Sequence, residues 1–165
     1  MSLVIENGSI VPGAESFATA AELVTYAAAL GLTIPATEAG QEAVLRRSYK
    51  EMAGRGWKGS LISAVQTGAF PRIGVCRDGL PIPSNVIPAQ IKDGQMALAT
   101  EIHADDVAPP ELKTGAVTEE RVEGAVDVKY AAASSYISRR AAGRLSDREF
   151  SGFSMSSNQI QMVRG

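Results

Sequence analysis

Residues 70–88 read Phe70-Pro-Arg-Ile-Gly-Val-Cys-Arg-Asp-Gly-Leu-Pro-Ile-Pro-Ser-Asn-Val-Ile-Pro88. No regular helix accommodates this stretch, because Pro71, Pro81 and Pro83 lack a backbone donor and Gly74 and Gly79 favour turns. Yet Phe70, Ile73, Val75, Leu80, Ile82, Val86 and Ile87 give it more apolar surface than a solvated linker needs. The stretch is therefore an ordered crossing over a small helical core, with Asp78-Gly79 as its turn and a helix opening at Pro88. Nothing in it is catalytic in character.

Two helices precede it. Thr19 and Glu22 stand at capping-box spacing, Leu23, Tyr26, Ala27 and Leu30 follow on one face, and Gly31 ends the run. After the break at Ile34-Pro35, Thr37 caps a second helix to about Ala53, with Leu45, Tyr49 and Met52 on one face. Gly54 and Gly56 terminate it, which places Trp57 over the joint between this helix and the 70–88 crossing. Leu61, Ile62 and Val65 suggest a short helical or irregular piece between them. Residues 1–18, with Asn7-Gly8 and Pro12-Gly13, read as an extended arm.

Beyond the crossing, Ile91, Leu98 and Ile102 mark a third helix from Pro88 to about His103, stopped by Asp105, Asp106, Pro109 and Pro110. Lys113–Val122 and Ala125–Tyr130 then read as two strands around a turn at Glu123-Gly124. Residues 131–165 carry Phe150, Phe153, Met155, Ile160 and Val163 at no regular period. Such a segment is expected to be disordered alone and to order against a partner. The expected fold is mainly α: a bundle of about three to four helices with a β-hairpin at about 113–130, and extended N- and C-terminal arms, the latter spanning 131–165.

Composition bounds the function. The chain has 165 residues, a net charge of −2 and 5% aromatic residues. One domain with a thin, Ala-rich core follows, and partner subunits are expected to add burial. A nucleic-acid coat protein would be more basic. The single cysteine, Cys76, excludes an internal disulfide and a cysteine-based zinc site. No apolar run reaches the roughly 18 residues of a spanning helix, so the expected setting is the cytoplasm or a particle assembled there. Residues 101–127 hold two basic and eight acidic side chains, whereas 128–165 hold six and two.

No constellation points to catalysis, and no cofactor or metal is expected. Gly54-Arg-Gly-Trp-Lys-Gly59 satisfies G-x-G-x-x-G but follows a helix instead of a strand, so it reads as helix termination. His103 with Asp105 and Asp106 lacks the further ligands of a metal site, and Cys76 beside Arg77 has only His103 as a conceivable base. Glu119-Glu120 reads as solvated charge. Arg139, Arg140, Arg144 and Arg148 form a basic series suited to an acidic protein surface or a phosphate backbone, without interleaved aromatic residues for base stacking.

Leu3-Val-Ile-Glu-Asn-Gly8, Val11-Pro-Gly-Ala14, Ser16-Phe17, Trp57-Lys58-Gly59, Phe70-Pro71-Arg72-Ile73-Gly74, Asp78-Gly79, Ile87-Pro88 and Val126-Asp-Val-Lys-Tyr130 together resemble a family of tailed-bacteriophage proteins. These often carry the label DnaT-like single-stranded-DNA-binding protein, while their neighbours in fold and genome position look like head-to-tail adaptors of the neck. The resemblance covers about Leu3 to Tyr130. Phe70 stands where the family commonly has Trp, and the region after Tyr130 is longer and more polar than the family's compact ending. The resemblance implies a structural virion protein: a ring of identical chains, dodecameric in such adaptors, lying below the portal protein, extending the channel for passing double-stranded DNA and joining tail or tail-completion proteins, with no membrane involved. On that reading Trp57, Phe70, Pro71, Arg72, Gly79 and Pro88 form a structural clasp, Glu119, Glu120 and Glu123 face the channel, and Arg139, Arg140, Arg144, Arg148, Phe150 and Phe153 dock on the portal or a neighbour. The label implies the alternative, a single-stranded-DNA-binding replication accessory protein.

Overall fold

A computed structural model describes residues 2–109, 112–113, 117–122, 126–130, 136–137 and 144–155. The fold is mainly α, with helices α1 (Ala20–Leu30), α2 (Glu38–Ala53), α3 (Ala89–Val107) and α4 (Leu145–Phe150). Thr19 caps α1 reciprocally with Glu22, and the Thr37 hydroxyl accepts from the Gly40 amide at the start of α2. Thr19→Ala therefore lowers stability by about 1 kcal/mol, measurable as a shift of the urea midpoint at unchanged slope.

The segment between α2 and α3 is a chain of short antiparallel pairings. β1 (Ser60–Leu61) pairs with β2 (Arg72–Ile73), and β3 (Cys76–Arg77) with β4 (Leu80–Pro81). Asp78 and Gly79 make the two-residue connection of the second hairpin, both with positive φ (51° and 81°), as the primed turns of tight hairpins require. Pro88 stands immediately before α3 as its N-cap, not inside the first turn.

α3 runs to Val107, past the expected stop at Asp105 and Asp106. Both carboxylates are held from other elements, Asp105 by Arg144 and Asp106 by Arg47, and this lets the helix continue through them. It packs against α1, α2 and α4, and so forms the spine of the molecule. Gln95, at its centre, is fully buried: its amide donates to the Ser16 hydroxyl (3.0 Å) and the Leu45 carbonyl (3.1 Å), and its oxygen accepts from the Phe17 amide (2.8 Å). One polar side chain thus ties the N-terminal segment and α2 to α3 with its hydrogen bonds satisfied.

The N-terminal segment lies against the body. The Glu6 amide donates to the Ser16 carbonyl, and the buried Glu6 carboxylate accepts from the amides of Gly8, Ile10 and Val11. Phe17 and Ala18 enter the core behind it.

The core has two adjoining clusters. One gathers Leu23 of α1, Val44 and Leu45 of α2, and Met96 and Ala99 of α3. The other centres on Trp57, Phe70, Met52, Ile91, Leu98, Phe150 and Phe153. The last two correct the sequence reading. Phe150 and Phe153 are each 1% exposed inside this chain's own core, so they are not available to dock on a portal or neighbour. The Gly94 position explains the fit: a β-carbon there would lie 2.2 Å from Phe150 Cε1, so only glycine on α3 admits the ring. Of the segment expected to be an arm, residues 144–155 belong to the folded body, and most of the remainder lies outside the described residues.

The acidic region forms a ribbon. β5 (Leu112–Lys113) pairs with β8 (Tyr136–Ile137), and β6 (Val117–Val122) pairs with β7 (Val126–Tyr130), all antiparallel. The two pairings follow one another in sequence, β5 and β6 running against β8 and β7. The expected turn at Glu123-Gly124 falls between β6 and β7, outside the described residues. Among the described residues these strands contact only one another.

Candidate functional site

The densest constellation is the aromatic joint beside α3. Trp57 donates from Nε1 to the Met52 carbonyl (2.7 Å), which fixes the indole at the exit of α2. Phe70 and Phe150 meet it edge to face at 5.3 and 5.0 Å, and Phe153 meets Phe70 the same way at 6.1 Å. Four edge-to-face rings contribute both area and directional preference. Arg55 lies over the outer face of Phe150 and Arg77 over Phe153, closing the stack with cations.

Arg72 holds the backbone around this joint. Its guanidinium donates to the carbonyls of Lys58 (2.8 Å), Gly59 (2.8 Å), Ala69 (3.3 Å) and Trp57 (3.4 Å). Burial lowers its pKa from the usual arginine value, but the group remains a cation at any physiological pH. Trp57, Phe70, Pro71 and Arg72 therefore come together in one place. Gly79 sits apart at the tip of the β3–β4 hairpin. Pro88 and Phe153 line a shallow open groove beneath that hairpin.

Among the described residues most basic side chains are engaged within the chain. Arg144 pairs with Asp105 (3.1 Å) and lies 4.0 Å from Glu101, while Glu101 also accepts from the amide and hydroxyl of Ser146 (3.1 and 2.6 Å) and so anchors the start of α4. Arg46 bonds Glu15 and Glu42, Arg47 bonds Asp106, Arg55 bonds Asp147, and Lys58 donates to the Gly152 carbonyl. Arg148 is exposed. Arg139, Arg140 and Glu123 lie outside the described residues. Glu119 and Glu120 occupy β6 at register positions opposite Lys129 and Val128.

A second groove, between α1 and α3, carries Glu22, Tyr26, Lys92 and Asp93. Burial, then the charges of Asp93, Glu149 and Glu101, push the Tyr26 hydroxyl up to about 12. For Glu22, burial raises the pKa, but hydrogen bonds from Lys92 and Thr19 outweigh it and the net shift is downward from 4.5. A depressed folded value means that the stabilisation is complete above the ordinary value and is lost as pH falls through the folded one. Glu22→Gln is therefore expected to flatten the part of the stability curve that falls away below pH 4.5, which acid titration of the urea midpoint checks.

These features are structural: buried rings, a cation satisfied by carbonyls, and ion pairs between elements. No group of three or more metal-ligating side chains occurs among the described residues, and no described helix is long and apolar enough to cross a membrane. Gln95, Glu6 and Glu101 escaped the sequence reading. Only Glu101, as an acidic residue facing a basic tail, left any signal there.

A family model spans residues 1–165 of the chain. The chain belongs to the family described as Putative DnaT-like ssDNA binding protein. This DnaT-like membership agrees with the label the sequence motifs carry, and it bears on the single-strand-binding alternative instead of the adaptor. No curated protein and no solved structure matches this DnaT-like chain.

Proposed function

We propose that this DnaT-like chain is a structural head-to-tail adaptor of a tailed-phage virion, assembling as a ring below the portal and carrying the DNA channel towards the tail. One observation supports this over strand binding. Among the described residues the rings of Phe17, Tyr49, Trp57, Phe70, Phe150 and Phe153 are all buried, and most basic side chains are engaged by carboxylates or carbonyls of the same chain. Single-strand binders need the reverse, a basic groove with aromatic faces open for stacking.

In this reading the ribbon is the channel and neighbour element. Residues 112–137 hold three basic and four acidic side chains, so it offers packaged DNA little attraction. Portal contact falls to the exposed surface of the body and to the terminal residues, because Phe150 and Phe153 are occupied. A test of the C-terminal segment must therefore spare the core: deleting 156–165, not 139–165, is the informative truncation. Reduced attachment of the truncated chain to portal-bearing heads supports a docking role for the terminus, and undiminished attachment removes it.

The second reading is single-strand DNA binding, which the family description favours. It predicts saturable binding to oligo(dT) whose affinity falls steeply with salt, with a slope of roughly −0.7 per phosphate contacted. The adaptor predicts no such isotherm at low salt. An anisotropy titration distinguishes the two.

A further inference from the structure

We propose that the ribbon is completed by ribbons of neighbouring copies of this chain, the outer edge of β6 pairing antiparallel with the outer edge of β7 in the next copy. The inference rests on the ring reading above and specifies how its subunits join.

A two-stranded ribbon has little stability alone, and its two outer edges expose unpaired backbone donors and acceptors. Among the described residues β6 pairs with β7 and with no other strand, so each has one such edge. The register inside the ribbon sets Glu119 opposite Lys129, Arg121 opposite Asp127 and Val122 opposite Val126. Positions 119, 121, 127 and 129 thus share one face as opposite-charge partners. Positions 120, 122, 126 and 128 share the other, on which three valines surround the single charge of Glu120.

Three ways of joining edges can be compared by the residues they oppose. Antiparallel β6 against β6 of another copy, centred on the strand, sets Glu119 opposite Glu120, a like-charge pair that destabilises. Antiparallel β7 against β7 sets Asp127 opposite Lys129, which is favourable, but leaves every β6 edge bare. β6 against β7 of the next copy repeats the internal register, Glu119 opposite Lys129 and Arg121 opposite Asp127, and covers both edges of every ribbon. Partner positions inside the ribbon direct their backbone groups both inward or both outward, so the outer edges can meet in this register without a slip. Joining unlike edges is a heterologous contact, which closes into a ring when the rotation allows. The faces that carry Val122, Val126 and Val128 then run on from one ribbon to the next.

Disulfide trapping tests this. In a Cys76→Ser background, one chain carries Glu120→Cys and another Val128→Cys, positions that are register partners. Neither chain can form an internal bridge, because Cys76 is the only native cysteine. Mixing and mild oxidation are expected to give a covalent two-chain product, with only background product from either chain alone. Efficient self-linking of the Val128→Cys chain would mean β7 meets β7 and overturns the proposal, as does no product from the mixture. Lys129→Glu gives an independent measure: it should reduce oligomer in light scattering, and adding Glu119→Lys should restore it. Persistence of the oligomer in Lys129→Glu contradicts the proposal. Trapping without attachment to heads leaves the edge pairing standing and removes the adaptor reading. Attachment without trapping does the reverse.

Discussion

Phe150→Ala lowers the unfolding free energy by about 3–5 kcal/mol, the range for emptying an aromatic site in a packed core. The ring is 1% exposed, meets Trp57 at 5.0 Å and fills the space left by Gly94. Urea unfolding checks the value. A tail residue awaiting a partner would show almost no change, so the same number decides between core and arm. A second substitution sharpens it. Gly94→Ala alone destabilises, because its β-carbon would stand 2.2 Å from the Phe150 ring. In the Phe150→Ala background that clash disappears, and alanine's better helix propensity should return up to about 1 kcal/mol. The pair must therefore be strongly non-additive.

Arg72→Met is expected to cost roughly as much, on the order of 3–5 kcal/mol, for a different reason. Four carbonyls, those of Trp57, Lys58, Gly59 and Ala69, lose their donor together, and each acceptor left buried and unpaired costs about 1–3 kcal/mol less whatever water can reach it. Arg72→Lys recovers only part of this, since a single ammonium cannot span carbonyls that a planar fork reaches at once. Thermal and urea unfolding of both variants check the order. Equal stability of Arg72→Lys and the native chain would mean the fork is not what holds the crossing.

Much of this architecture is written locally. The Thr19 and Glu22 capping box, the apolar period of α2 and the Asp78-Gly79 turn each act within a few residues, and each appears where the sequence indicates. The α3 terminus was misread because Asp105 and Asp106 look like stop signals until Arg144 and Arg47 arrive from distant segments. α4 was missed for a related reason. Its six residues carry no apolar stripe, and the burial of Phe150 depends on the absence of a β-carbon at Gly94 and on the position of Trp57. Gln95 shows the same limit from the polar side, since a glutamine within a helix reads as solvent-facing until Ser16, Phe17 and Leu45 surround it. Of the clasp, Trp57, Phe70, Pro71 and Arg72 were legible as a motif. The carbonyl cage around Arg72 was not, because carbonyls carry no sequence identity.

The joint and the ribbon divide the labour. Trp57, Arg72 and the α4 phenylalanines make a rigid body from a chain poor in aromatic residues. The ribbon strands lie in sequence between α3 and α4, which the Arg144 pairing with Asp105 and the Glu101 contacts to Ser146 hold together.

The adaptor reading is tested most directly by electron microscopy of portal-bearing heads assembled with and without this chain. The account predicts a ring of added density below the portal and tails attached only when the chain is present. Identical necks in both preparations, with tails attached equally, would contradict it.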